Sequence, residues 1–236
     1  MSAANATRWI GIGLLGLSLY GALTFFSALN PQPDYNTYPE AWARYVTTDH
    51  YVLEHLFLSI FGIIFGILGV FALGAYLATS RAGRMGLVAM VITVVGSGLF
   101  LSVLGISTFA APEQGQAYLA GMDYDKLPDS FADTVQALTG LGYILLGFVG
   151  NILLGVAIWR SGTLPKWAGA LWAAAHVLMY VSQGYAATVG AKSTPPTVLV
   201  GAVVVVISGA WMAWSVLSRS SSAARVVGVG AQPRVQ

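Results

Sequence analysis

Charge in this chain is sorted by position along the sequence. All nine acidic residues (Asp34, Glu40, Asp49, Glu54, Glu113, Asp123, Asp125, Asp129 and Asp133) lie in or beside two segments, 30–51 and 112–133. Eight of the eleven Lys and Arg (Arg8, Arg81, Arg84, Arg160, Lys166, Arg219, Arg225 and Arg234) lie in the alternate segments. Between them run six apolar stretches: Trp9–Leu29, Val52–Ala78, Met85–Ala110, Thr134–Trp159, Trp167–Gly190 and Val198–Leu217. Each is long enough to cross roughly 30 Å of hydrocarbon at about 1.5 Å per residue. Lipid offers no hydrogen bonds, so spans of this kind close their backbone bonds internally, as helices. The expected fold class is all-α, a polytopic membrane bundle of six transmembrane helices over residues 1–218. The tail from 219 to 236 lacks periodicity and is expected to be a disordered cytoplasmic segment.

Composition agrees. The chain is 56% hydrophobic and 8% charged, against about 25% charged in soluble domains, so its main solvent is lipid. The short basic turns 79–84 and 160–166 belong on the cytoplasmic side by the positive-inside rule, and both termini go with them. That is an N-in/C-in, multi-pass protein of a plasma membrane organised like a bacterial inner membrane. Topology accounts for the basic excess, and no nucleic-acid partner is expected. The first stretch, flanked by Arg8, exceeds the roughly 7–15 residues of a signal-peptide core and reads as a retained helix. The chain has no cysteine, which excludes disulfides, cysteine-held iron–sulfur clusters and covalent c-type haem.

In the first acidic loop Pro39 opens a helical pattern. Tyr38, Trp42 and Tyr45 recur at i, i+4 and i+7, and Glu40 pairs with Arg44 at i,i+4. The pattern predicts a short amphipathic helix at the outer interface, where aromatic rings prefer to lie. In the second loop Pro128 starts a helix running into span four, with Asp129 and Asp133 near its N-terminus. The loop's aspartates do not make a calcium loop: Pro128 stands where glycine is required, and the closing glutamate is absent. Gly62, Gly66 and Gly69 in span two, and Gly147 and Gly150 in span four, are close-packing residues. They serve packing within the bundle or the seam of a homo-oligomer.

No Asp, Glu, Lys or Arg occupies the middle of any span, which places a transporter third among the functional readings. Two groups of polar residues stand out. His176, Tyr180 and Gln183 follow each other at i, i+4 and i+7 on span five, and Tyr143 and Asn151 of span four can face them. This stripe serves either interhelical hydrogen bonding or an outward-open cavity. Such a cavity would bind a hydrophobic ligand or a membrane partner subunit, or hold a haem with His176 as axial ligand. The second group is His50, Glu54 and His55, where the first loop enters span two. His50 and Glu54 share a helix face, while His50 and His55 differ by roughly 140° at 100° per residue. A divalent metal there needs ligands from elsewhere, such as Asp49. With them the protein would be a membrane metal or haem enzyme acting at its outer face. His55 and His176 lie at different depths, so one metal bridging both is not expected.

The run Gly155 to Gly169 (Gly-Val-Ala-Ile-Trp-Arg-Ser-Gly-Thr-Leu-Pro-Lys-Trp-Ala-Gly) resembles uncharacterised bacterial six-helix integral membrane proteins. In those a span ends in Trp-Arg and a Leu-Pro-Lys-Trp turn opens the next. The resemblance implies a membrane bundle and carries no activity.

Overall fold

The computed structural model describes residues 3–30, 32–122, 129–188 and 194–230, with side chains over 5–30, 32–122, 134–185 and 194–219. Asp123, Asp125, Pro128 and Arg234, and the side chains of Asp129, Asp133 and Arg225, lie outside the described residues. All regular structure among the described residues is helical. In chain order come α1 (Ala3–Ala28), α2 (Pro39–Val46) and α3 (Asp49–Glu54), which passes through a π turn (His55–Ile60) into α4 (Phe61–Ala78). Then follow α5 (Gly83–Leu119), α6 (Asp129–Tyr143), a π turn (Ile144–Gly150) and α7 (Asn151–Ser161). Last come α8 (Lys166–His176), a π turn (Val177–Val181), α9 (Ser182–Thr188) and α10 (Pro196–Gly230).

Five of these runs are long and apolar enough to cross a membrane: Asn5–Ala28, Asp49–Ala78, Gly83–Leu119, Thr134–Ser161 and Pro196–Arg219. The fifth span expected from the sequence is helical over Lys166–Thr188 but is not one of them. Its composition is more polar, with Lys166, His176, Ser182 and Gln183 in the run. It packs between α7 and α10, and Trp172, His176, Met179 and Tyr180 on it are all buried in the protein. A helix whose neighbours are mostly protein can carry His, Gln and Tyr where a lipid-facing one could not. The outer face of this span still exposes Trp167, Val177 and Val181, as the other helices expose Leu15, Phe71, Val91, Ile144 and Trp214.

The spans close on themselves. α1 packs on α4, α4 on α5, α5 on α7, α7 on α8, α8 on α10, and α10 back on α1. Glycines set the closest crossings. A Cβ on Gly16 of α1 would meet the Phe65 carbonyl oxygen at 2.7 Å, and one on Gly69 of α4 would meet the Leu17 amide at 2.7 Å. Gly62 and Gly66 face Leu23 and Tyr20 of α1, Gly147 faces Tyr180, and Gly150 faces Thr93. All five glycines singled out in the sequence are thus filled from within the chain.

The charge sorting has a geometric counterpart. The Arg219 guanidinium at the end of the sixth span donates to the Thr163 carbonyl, Arg81 lies against Gly162, and Gly11 of α1 faces Leu217. The basic turns and the outer parts of α1 and α10 therefore share one end of the bundle. The acidic helices α2 and α3 lie at the other.

Two elements run further than the sequence suggests. The second loop was expected to open at Pro112, yet α5 continues through that proline to Leu119. A proline inside a helix costs about 3 kcal/mol, and here tertiary packing outweighs it. Ala111, Gly115 and Ala117 are buried, and a Cβ on Gly115 would meet Val46 at 2.6 Å. The surface they meet is α2, which forms as the pattern predicts, with Pro39 at its start and Arg44 paired to Glu40 at 2.8 Å. Its Trp42, Ala43 and Val46 join Tyr51 and Ala111 in a small outer core. Likewise α10 runs to Gly230, past the expected end of the sixth span at Leu217.

The outer core gives a first prediction. Trp42→Ala should cost about 3–5 kcal/mol of local docking energy, the usual range for a large aromatic removed from a core. Limited proteolysis within 30–48 should speed up while the spans stay protected; unchanged cleavage there would mean that α2 is held by something else.

A candidate ligand cavity between the spans

The stripe on span five forms one wall of a cavity. It has a volume of about 220 Å³ and lies toward the acidic end, where α1 finishes and α10 begins. Tyr143, Tyr180 and Gln183 line it. Tyr20, Thr24 and Ser27 of α1 and Ser59 of the first π turn line it too, and sequence reasoning missed all four. The signal was available: Tyr20, Thr24 and Ser27 repeat at i, i+4 and i+7, the same spacing as His176, Tyr180 and Gln183. Ile63, Phe100, Leu104, Met179 and Val198 supply the apolar wall, and among the described residues no Asp, Glu, Lys or Arg takes part.

The floor of the cavity is a pair of phenols. The Tyr20 and Tyr180 hydroxyls share a hydrogen bond of 2.8 Å across the bundle. Tyr143 meets Tyr180 edge to face at 5.3 Å, and Phe100 meets Tyr143 in the same way at 5.4 Å. Tyr180 fits because its neighbour is a glycine: a Cβ on Gly147 would lie 2.7 Å from the Tyr180 Cβ.

His176 and Asn151 are in a different place, below this floor. They line a second space of about 10 Å³, together with Leu17, Tyr20, Thr93, Ser97 and Trp172. Asn151 is fully committed to structure. Its Nδ2 donates to the Leu146 carbonyl inside the second π turn at 2.8 Å, and its Oδ1 accepts the Trp172 indole N–H at 3.1 Å. His176 is wholly buried, stacked against Tyr180 and Tyr20 with ring centres at 6.0 and 6.3 Å. Its Nδ1 donates to the Trp172 carbonyl at 2.8 Å. Since a carbonyl only accepts, the ring proton of the neutral imidazole is on Nδ1 and Nε2 is left as an acceptor. Nε2 is buried with no hydrogen-bond partner among the described residues. A buried acceptor left in that state costs about 1–3 kcal/mol. The space beside it suits about one water molecule; the residues around His176 do not fit a haem.

Each of the three π turns lies in a span that borders this region: Leu58 and Ser59 in the first, Leu146 in the second, and Met179 and Tyr180 in the third. A π turn inserts one extra residue into the helical repeat and re-aims the side chains beside it, which is why such turns collect at functional sites.

The other candidate group, at the acidic end, does not converge. His50 Nε2 lies 3.3 Å from Glu54 Oε2, and the same oxygen accepts the Tyr45 hydroxyl at 3.2 Å. Partial burial, and then the Glu54 carboxylate beside it, push the Tyr45 phenol up to about 12, so it remains a donor. His55 is occupied elsewhere, donating from Nδ1 to the Tyr51 carbonyl at 3.1 Å with its ring over Tyr51. Among the described residues no three His, Asp or Glu side chains come together to hold a metal.

The family model for DUF4386, a domain of unknown function, matches residues 78–218, and the chain belongs to that family. The match takes in Tyr143, Asn151, His176, Tyr180 and Gln183, while Tyr20, Thr24, Ser27 and Ser59 precede it. No curated protein and no solved structure matches the chain.

Proposed function

We propose that this member of the DUF4386 family is a plasma-membrane protein, with both termini cytoplasmic, that binds a neutral amphiphile in its outward-facing cavity. One observation carries the reading. Among the described residues, a space of about 220 Å³ is edged by hydrogen-bonding side chains from four spans and by no charged group. An ionic head would be stranded there, because burying a charge without a partner is costly. A hydroxyl, carbonyl or amide head suits the phenols of Tyr143 and Tyr180 and the amide of Gln183. An apolar cavity of about 150 Å³ takes benzene, so this one suits a ring or short chain, with any longer tail lying in the bilayer. A membrane partner subunit that inserts an apolar side chain through the same mouth uses the same chemistry.

Native mass spectrometry of protein released from its own membranes is the test. The expected result is a retained neutral adduct that falls at least tenfold in occupancy in the Tyr180→Phe, Gln183→Leu double variant. A bare polypeptide, or an adduct indifferent to both substitutions, would overturn the reading.

A further inference from the structure

We propose that His176 Nε2 is the acceptor of a second, deeper subsite, which takes one hydroxyl-sized hydrogen-bond donor beneath the Tyr20–Tyr180 pair. Three observations converge on it. The imidazole is wholly buried, and its Nδ1 is engaged by the Trp172 carbonyl, which leaves the Nε2 lone pair unpartnered among the described residues. That ring borders a space of about 10 Å³, close to the volume one water molecule needs. The hydroxyl protons around the space, and one of the two Asn151 amide protons, go elsewhere. Thr93 donates to the Ala89 carbonyl, Ser97 to the Thr93 carbonyl, and Asn151 to the Leu146 carbonyl. None of them supplies the donor that Nε2 lacks, yet Thr93 and Ser97 keep lone pairs that can accept. A single O–H group there can bond to Nε2 and be held by its neighbours.

Two sources offer that chemistry. One is the hydroxyl end of an amphiphile whose body fills the cavity above, entering where Tyr20 lines both spaces. The other is one water molecule. The first source rests on the function proposed above, whereas the subsite itself does not.

The test is ¹⁵N NMR of histidine-labelled protein in lipid nanodiscs. The chain has three histidines, so a His50→Gln, His55→Gln variant leaves His176 as the only signal, and the unsubstituted protein provides the check that the variant is folded. The expected result is an unprotonated Nε2 shifted upfield, as a hydrogen-bond acceptor is. An Nε2 that resonates as a free ring nitrogen, or that carries the proton itself, overturns the proposal. Titration with 1-decanol and with its methyl ether then separates the sources. A shift of Nε2 with the alcohol alone supports the subsite with a ligand hydroxyl as the donor. An acceptor signal indifferent to both, with exchange to solvent water, supports the subsite with water as the donor. If native mass spectrometry finds no adduct while Nε2 remains an acceptor, the ligand reading fails and the subsite stands.

Discussion

Gly16→Val is expected to be a strongly damaging substitution in the bundle, and Gly98→Ala a harmless or favourable one. At Gly16 the first added carbon meets backbone: the Phe65 carbonyl oxygen at 2.7 Å and the Gly69 amide at 3.2 Å. Backbone cannot rotate out of the way as a side chain can, so α1 and α4 must separate. Because α1 also closes the ring against α10, the displacement opens the cavity whose wall includes Tyr20, Thr24 and Ser27. Overpacking of a tight core typically costs about 1–3 kcal/mol, and the rigid neighbours here put Gly16→Val at or above the top of that range. Gly98 is also helical, but a Cβ there meets nothing within 4 Å. Helix propensity then favours alanine by about 1 kcal/mol. Thermal unfolding of both variants in one detergent checks the pair. Equal melting temperatures would mean that the α1–α4 crossing is looser than the structure has it.

The second large effect is expected at Asn151. Asn151→Leu removes two buried bonds at once and leaves the Trp172 indole N–H without its acceptor. Hydrogen bonds between membrane helices average about 0.6 kcal/mol, whereas an orphaned buried group costs about 1–3 kcal/mol. The orphaning dominates, so a loss of about 1–3 kcal/mol is expected. The asymmetry makes the test specific. Adding Trp172→Phe removes the stranded N–H, so the double variant should be more stable than Asn151→Leu alone. Strictly additive losses in that double-mutant cycle would refute the bridge.

The polar stripe His176, Tyr180, Gln183 was legible as a helical repeat, but not that it serves two spaces. The Tyr20–Tyr180 hydrogen bond joins residues 160 apart in the chain and divides the stripe, leaving Tyr180 and Gln183 above and His176 below. Asn151, a plausible ligand group in the sequence, is consumed by the backbone of a π turn that no local pattern announces. The amphipathic helix at Pro39–Val46 could be read from its spacing, because a period of 3.6 residues is a local property. Its seat on α5 could not, and without that seat Pro112 reads as the end of a helix.

Hydropathy and charge order were enough by themselves to determine a helical membrane chain with a basic and an acidic end, since each is a sum over neighbouring residues and lipid imposes it segment by segment. Only the tertiary structure decided that the spans close into a ring, that α1 completes the cavity, and that His50, Glu54 and His55 do not converge. Those outcomes depend on crossings set by single glycines and on helix registers shifted by π turns, where one ångström or one residue changes which side chains meet.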